Sequence, residues 1–357
     1  MALVHPGQPV RQGLYGVAAF YGLLVRLRLW CFRHGWLSSS RLPCPVISVG
    51  NLTVGGTGKT PIVILLTEWL QAKGQRVAIL SRGYKRTSAD RHLLVSDGDK
   101  VLVGPSAAGD EPFLMARRCP RAIVAVGGDR AALGRWVLGQ FPVDCMILDD
   151  GFQHRALHRD VDLVLLDAMD ATGIDAMLPA GRLREPLSGL KRATAVLITR
   201  AEIQEGVEAL RSRLQAIDLP LEECLEVTFK PESLLSVQVE EKRPLEWCRG
   251  KKVWLVSGIG NRESFRRSAA LLGVDIRGET VFRDHHQYRA DDVGEIRTRA
   301  QAAGADIVLT TEKDAAKLPP FLLPVDPWWA LRLQPEVVRG EERLRRIVLG
   351  AGKVAAQ

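Results

Sequence analysis

Val46-Ile-Ser-Val-Gly-Asn-Leu-Thr-Val-Gly-Gly-Thr-Gly-Lys-Thr-Pro61 reads as a β-branched strand that runs into a glycine-rich turn and then into an apolar helix. The turn has the character of a phosphate cradle. Gly55, Gly56 and Gly58 let the backbone curl so that its N–H groups converge on phosphoryl oxygens, and the start of the following helix adds partial positive charge. Lys59 is placed to reach β- and γ-phosphates, and the Thr60 hydroxyl to ligate Mg²⁺. Pro61 suits the first helical turn, where a missing N–H costs little. The strict spacing G-x-x-x-x-G-K-[ST] is broken, because Thr53 stands where its first glycine belongs, but the order strand, turn, helix is kept. The competing reading is an ordinary glycine-rich strand-to-helix loop, and the Gly-Lys-Thr-Pro ending argues against it.

Working outward, a chain of 357 residues is long for one core and suggests two domains. A net charge of +8 favours anionic partners: nucleic acid, a phosphorylated substrate or an acidic bilayer. Charge alone does not choose among them. The cysteines, Cys31, Cys44, Cys119, Cys145, Cys224 and Cys248, show neither C-x-x-C spacing nor a paired framework. That argues against a zinc knuckle or a secreted disulfide scaffold and makes a reducing compartment the default.

From Gly13 to Val25 the chain is uncharged and apolar. A helix of that length rises about 20 Å against a hydrocarbon core of roughly 30 Å, so this stretch is read as too short to span a membrane. Beyond it, Arg26, Arg28 and Arg33 are interleaved with Leu27, Leu29, Trp30, Phe32, Trp36 and Leu37, a mixture suited to the headgroup boundary. No small-residue cleavage site follows, which argues against a signal peptide. The alternative is a helix packed on the protein's own core.

Residues 46–200 alternate strands and helices as a parallel sheet does, with strands expected at Pro45–Val49, Arg76–Leu80, Ala122–Val126, Cys145–Leu148, Leu163–Asp167 and Ala195–Thr199. Each is short and apolar on both faces, the signature of a sheet covered by helices on both sides. A second α/β segment has strands at Val253–Val256 and Ile307–Leu309 and a helix beginning near Glu263. Two extended, proline-terminated stretches, Leu225–Pro231 and Trp328–Pro335, suit a two-stranded hinge, since a chain that leaves a domain and returns crosses twice. The expected division is a membrane-associating segment at 1–37, an α/β phosphate-loop domain at 38–224, hinge strands at 225–236 and 327–336, a smaller α/β domain at 237–326 and a tail at 337–357. The fold class is therefore α/β, a P-loop NTPase-like, mostly parallel sheet with helices on both faces, plus a smaller α/β domain.

Chemistry is expected at the acidic and histidine-bearing turns. Cys145-Met-Ile-Leu-Asp-Asp-Gly-Phe-Gln-His154 is an apolar strand ending in two carboxylates, and ligands of open α/β sheets sit at the C-terminal ends of strands. Asp149 and Asp150 are thus candidates to hold Mg²⁺, directly or through water, against the alternative of a solvated turn. Asp110 in Gly109-Asp-Glu-Pro112 also suits a helix cap. Asp284-His-His-Gln-Tyr288 is compatible with metal binding, a polar loop or an acid/base pair. Ser81-Arg-Gly-Tyr-Lys-Arg86 gathers three cations beside a tyrosine, suited to an anionic headgroup and equally to a solvated turn.

Taken in order, these motifs resemble the tetraacyldisaccharide 4′-kinase family, the lipid A 4′-kinases of Gram-negative bacteria. The resemblance rests on Gly50–Pro61, Ser81-Arg-Gly-Tyr84, Gly109-Asp-Glu-Pro112, Asp149-Asp-Gly-Phe-Gln-His154, Gly181-Arg-Leu-Arg-Glu-Pro186, Ser257-Gly-Ile-Gly-Asn261, Asp284–Tyr288 and Thr311-Glu-Lys-Asp314. One departure is Arg262, where similar proteins usually carry proline.

The resemblance implies ATP- and Mg²⁺-dependent phosphorylation of the 4′-hydroxyl of an acylated glucosamine disaccharide 1-phosphate, at the cytoplasmic face of the bacterial inner membrane. It implies no nucleic acid and no obligate protein partner. By the same resemblance, the nucleotide is held by Thr53, Val54, Gly55, Gly56, Thr57, Gly58, Lys59 and Thr60, with Gln153 and His154 lining the site. Mg²⁺ falls to Thr60, Asp149, Asp150 and Glu185. Asp110 is the base for the sugar hydroxyl, His285 pairs with it and tunes it, and Tyr84 and Arg184 belong to the substrate side. With His285 assigned to the second domain and the phosphate loop to the first, closure of a cleft between them is expected.

A different class also fits part of the pattern. Gly55-Gly-Thr-Gly-Lys-Thr60 is similar to the loop of deviant P-loop ATPases that act as regulatory or positioning switches. In those a lysine typically precedes the two glycines, and here that place is held by Val54. A basic nucleic-acid-binding ATPase is disfavoured too, because no aromatic platform with interleaved cations appears outside the N-terminal segment.

Overall fold

The structure is a computed structural model that describes residues 8–239 and 241–351; positions 1–7 of the N-terminal segment and 352–357 of the tail lie outside the described residues. The chain divides into two compact units, Met1–Val77 with Asp129–Thr228 and Val337–Gln357, and Ala78–Gly128 with Phe229–Glu336. Strand and helix alternation had grouped 78–128 with the phosphate-loop domain. Alternation along a chain reports sheet-forming segments but carries no information on which neighbours a segment packs against.

In the first unit five parallel strands lie in the order Cys224–Ser236, Ala195–Thr199, Val161–Asp167, Val46–Asn51, Cys145–Asp149. The central strands are buried along their whole length, as expected where both faces are covered. Alternate residues divide between the faces. Val164, Leu166, Val196 and Ile198 join one core with Leu52, Phe152, Val207 and Leu210, while the intervening Leu163, Leu165 and Leu197 are equally buried on the other side. The helix Lys59–Ala72 springs directly from the phosphate loop and buries Ile62, Val63, Leu66 and Leu70. The loop is therefore held between a central strand and a helix anchored in the core.

The second unit contains another parallel sheet, in the order Asp275–Val281, Lys252–Ser257, Ile307–Thr311, Trp328–Arg339. Val253, Leu255, Leu309 and Leu331 face one core, and Val256, Val308, Trp328 and Ala330 the other. Its remaining segment pairs Val77–Ser81 in parallel with Ile123–Gly127, which in turn takes His92–Asp97 antiparallel. Sequence reading placed most strands within two residues but missed His92–Asp97 and Asp275–Val281. Both alternate polar and apolar residues or carry charges, unlike the uniformly apolar strands. The chain enters the second unit after Val77 and returns after Gly128, then passes over again within Cys224–Ser236 and returns within Trp328–Arg339. Both strands run on through Pro231 and Pro335, since a proline is tolerated where the ladder needs no N–H.

The N-terminal helix Gln8–Arg33 is longer than its uncharged stretch suggested. Arginine is a good helix former, so Arg26 and Arg28 continue the helix rather than end it. By length and composition Gly13–Arg33 is able to cross a membrane, and length is not what would keep it from spanning. Tyr15, Val17, Phe20, Leu23, Leu27 and Trp30 are exposed, so this is not a core helix of the unit it belongs to. Ala18 is buried, and the Tyr21 hydroxyl donates to the Arg184 carbonyl at 2.9 Å.

Candidate active site

The phosphate loop begins where the strand Val46–Asn51 ends. Gly55 and Gly58 adopt φ of 124° and 88°, left-handed values that an L side chain rarely takes, and Gly58 opens the helix without any side-chain cap. The first N–H groups of that helix thus remain available to a ligand's oxygens. Lys59 is nearly buried; its ammonium donates to Asn51 Oδ1 at 3.2 Å and lies 3.5 Å from Asp150 Oδ1. The Thr57 hydroxyl is buried and has no hydrogen-bond partner among the described residues. From outside, the Arg182 guanidinium donates to the Val54 carbonyl through Nε (3.1 Å) and Nη2 (2.8 Å), and Val54 N–H donates back to the Arg182 carbonyl. Behind the loop, the buried Thr199 hydroxyl donates to the Thr57 carbonyl at 3.0 Å. A turn so rich in glycine is kept in one shape by these struts, and an orphaned hydroxyl with open helix N–H groups fits a nucleotide's phosphates.

The two carboxylates at the end of Cys145–Asp149 have different surroundings. Asp149 completes the strand and is buried, while Asp150 turns left-handed at φ 53°. Gly151 must follow, since a Cβ there would lie 2.6 Å from Ser48 Oγ and 2.8 Å from Leu148 Cβ. Burial opposes ionisation of Asp150, but the charges of Lys59 and Arg184 outweigh it and hold its carboxyl below the ordinary range. Arg184 Nη1 reaches both Asp150 oxygens, at 3.0 and 2.9 Å, and donates to Gln153 Oε1 at 3.2 Å. Gln153 Nε2 donates to the Asn51 carbonyl (3.0 Å) and to Glu185 Oε1 (2.8 Å). Glu185, buried, accepts on that same oxygen from Arg192 at 2.8 Å. His154 follows; burial first, then the charge of Arg130, push its imidazole down to about 4, so the ring is neutral at pH 7. No group of three or more His, Cys, Asp or Glu side chains converges as a metal cage among the described residues. So sparse a donor set, the Thr60 hydroxyl and the carboxylates of Asp149 and Asp150, suits instead a Mg²⁺ that keeps waters and phosphate oxygens as most of its ligands.

The second unit carries the other constellation. Asp110 is the first residue of the helix Asp110–Arg118 and is 3% exposed; Gly109, not Asp110, occupies the cap position. Its Oδ2 lies 3.2 Å from His285 Nδ1 and 3.0 Å from Lys317 Nζ. Burial works against the charge, yet the His285 hydrogen bond and the Lys317 and Lys313 charges prevail and hold this carboxyl below the ordinary range. His285 sits left-handed at φ 59°, its N–H donating to the Gly258 carbonyl at 3.2 Å. His286 turns elsewhere, its Nε2 2.9 Å from Asp292 Oδ2 and its ring stacked on Phe282. The two histidines of the Asp284–Tyr288 stretch thus pair with different carboxylates, His285 with Asp110 and His286 with Asp292. Tyr84 is exposed and meets the His285 ring edge-on, with centroids 5.1 Å apart.

Asp110 and His285, assigned from the sequence to separate domains, lie in the same compact unit. The sequence reading missed Lys317, gave Lys313 no role, and passed over Arg182, Arg192 and Asn51. The signal for the lysines was present: Lys313 and Lys317 are four residues apart, the spacing of one helical face, just after the Thr311-Glu312 turn.

Charge compensation for phosphates and a held proton acceptor are what transfer of a phosphoryl group to a hydroxyl requires, and no covalent intermediate is called for. Fold and site together define a P-loop phosphotransferase. Residues 10–352 match the family model described as Tetraacyldisaccharide-1-P 4′-kinase (LpxK), and the chain belongs to that family. It is 41% identical over 313 residues to a tetraacyldisaccharide 4′-kinase of Anaeromyxobacter sp. (strain Fw109-5), covering 88% of this chain and 84% of the relative. It is 40% identical over 308 residues to the protein of that name from Halothermothrix orenii, covering 83% and 80%. A crystal structure of "apo" form LpxK from Aquifex aeolicus in complex with ATP superposes with a TM-score of 0.77 at 33% identity, covering 96% of this chain and 99% of that one.

Glu185→Ala removes the acceptor shared by Gln153 and Arg192, and is expected to cost about 2–4 kcal/mol of stability as a broken buried pair. Denaturant unfolding in Mg²⁺-free buffer checks this. A parent-like midpoint would leave metal binding, not support of Gln153, as the job of this carboxylate.

Proposed function

We propose that this protein transfers the γ-phosphoryl group of ATP to the 4′-hydroxyl of a tetraacylated glucosamine disaccharide 1-phosphate, a step of lipid A assembly. Family membership carries the substrate; the buried Asp110–His285 pair carries the chemistry, since a switch ATPase has no use for a base held ready for an alcohol. When bound, ATP with Mg²⁺ supplies the electrophilic phosphoryl group and neutralises part of its charge.

The residues divide the work by unit. Lys59 and the N–H groups from Gly55 to Thr60, with Thr53, Val54 and Thr57 shaping the turn, bind the phosphates. Thr60, Asp149 and Asp150 are the metal side, and Arg184 is poised between Asp150 and Gln153 to answer a change in local charge. Glu185 acts through Gln153, and neutral His154 adds no charge to a site that must accept polyanions. Asp110 takes the sugar proton on its carboxylate while His285 Nδ1 holds that carboxylate in place. A carboxylate with a low pKa is a weak base, which suffices where bond breaking to the leaving group runs ahead of proton loss. Tyr84 borders this pair and is a candidate to contact the acceptor.

Placement belongs to the same reading. The helix Gln8–Arg33 presents exposed aromatic and aliphatic side chains among arginines, as a segment lying at a cytoplasmic headgroup boundary would. Leu23→Asp with Leu27→Asp leaves Tyr21 and Arg28 in place and should raise the apparent KM for the lipid acceptor about tenfold while leaving that for ATP alone. Equal KM values for parent and variant in mixed micelles would move the anchoring elsewhere.

Lys59→Ala should lower kcat about 10²–10³-fold in a protein that still folds, because it deletes charge compensation and not core packing. Near-normal turnover would remove the phosphate-loop assignment.

Asp110→Ala and His285→Ala should each lower kcat about 10²–10⁴-fold with little change in ATP affinity. The double variant should lose far less than the product of the two, because groups that act as a unit are not additive. A double-mutant cycle on kcat at saturating ATP and acceptor reads this directly, and strictly multiplicative losses would show that the two side chains act independently.

A further inference from the structure

The Asp110–His285 pair is enclosed by two lysines to which the motif reading gave no role. Lys317 is 4% exposed at its side chain and bridges three segments: its Nζ donates to Asp110 Oδ2 at 3.0 Å and to the His286 carbonyl at 2.9 Å, and lies 3.6 Å from Asp314 Oδ1. Lys313 sits on the far side of the imidazole. Its Nζ is 3.2 Å from His285 Nε2, 3.1 Å from Asp284 Oδ1 and 3.4 Å from Glu111 Oε1. Burial disfavours its charge, but Glu111, Asp284 and Asp110 together raise its pKa, so it is an ammonium at neutral pH.

Hydrogen-bonding capacity then leaves one arrangement. An ammonium has donors and no acceptor, so His285 Nε2 must accept from Lys313. An ionised carboxylate only accepts, so His285 Nδ1 must donate to Asp110 Oδ2. A ring that accepts on one nitrogen and donates from the other is neutral. We infer that Lys317 and Lys313 are positioning residues that assemble this pair and fix its proton arrangement, with Asp110 ionised and His285 neutral and protonated on Nδ1. The inference rests on the reading of Asp110 as the proton acceptor.

It has a mechanistic consequence. With Nε2 occupied, His285 does not itself collect the sugar proton, and Asp110 remains the open acceptor. Lys317 supplies what a buried carboxylate lacks, a cation at hydrogen-bond distance, and through the His286 carbonyl it also holds the loop that presents His285. The charged and titratable groups around Asp110 are His285 and Asp284 from the loop, Lys313, Asp314 and Lys317 from the segment after Thr311, Glu111 from its own helix, and the Tyr288 phenol, whose burial raises its pKa and keeps it neutral. The two lysines are the cations of this set, so removing either one raises the Asp110 pKa.

The test is the pH dependence of kcat at saturating ATP and acceptor for Lys317→Met, Lys317→Arg, Lys313→Met and Asp110→Asn of the full chain. Because the base must be ionised, a raised Asp110 pKa moves the acid limb to higher pH. Lys317→Met is expected to lower kcat about 10–100-fold with KM values little changed, and to move the acid limb up by about one pH unit or more. Lys313→Met should move it in the same direction, and Lys317→Arg, which keeps the charge, should leave it near the parent's position. Folded Lys317→Met and Lys313→Met proteins with the parent's acid limb, while Asp110→Asn is inactive, would overturn the role of the lysines alone. An Asp110→Asn protein with near-parent kcat would instead remove Asp110 as the base, and the inference with it.

Discussion

A carboxylate shielded from water depends on nearby cations and hydrogen-bond donors to stay ionised, and each unit of this protein is organised around one cation-paired carboxylate, partly exposed in the first (34% at its side chain) and buried in the second. In the first it is Asp150, balanced by Lys59 and Arg184; in the second it is Asp110, balanced by Lys317 with the His285 proton beside it. The cost of leaving either charge unpaired ties distant segments together. Residues 59, 150 and 184 must meet in one unit, and 110, 285 and 317 in the other.

Each carboxylate is backed by a network of further polar side chains. Asp150 is held by Arg184, Arg184 donates to Gln153, Gln153 donates to Glu185, and Glu185 closes the chain on Arg192. A buried polar chain is stabilising only when every member is satisfied, and here donors and acceptors alternate along it. The same logic gives Arg182 its place over the phosphate loop, where it donates twice to the Val54 carbonyl. Val54 occupies the position at which the switch ATPases carry their lysine, and its backbone is committed to a strut within its own unit.

The first unit was legible because its signals are local. A β-branched run, a glycine turn and Lys-Thr-Pro fall within sixteen residues, and four short, largely apolar strands announce a covered sheet. Asp110 and His285 were legible only through resemblance, since 175 residues separate them and nothing in either stretch points to the other. For Lys317 the sequence offered only its four-residue spacing from Lys313, which a solvated face shares; its burial emerges only when the loop at His286 folds over it. The grouping of 78–128 with 229–336 escaped for a similar reason. Helix and strand periods identify elements, but the contacts that sort elements into compact units are made between residues far apart in the chain. Glu185, given to Mg²⁺ by the resemblance, has one oxygen that accepts from both Gln153 and Arg192, a contact that nothing in the local sequence announces.

The account turns on one protonation state, the neutral His285 that donates from Nδ1 to an ionised Asp110. Nitrogen-15 NMR of histidine-labelled protein, with the His285 ring assigned by its disappearance in His285→Gln, observes that state without reference to turnover. The account predicts a protonated Nδ1 and an unprotonated, hydrogen-bonded Nε2. An imidazolium with both nitrogens protonated at pH 7, or a ring protonated on Nε2 alone, would contradict it.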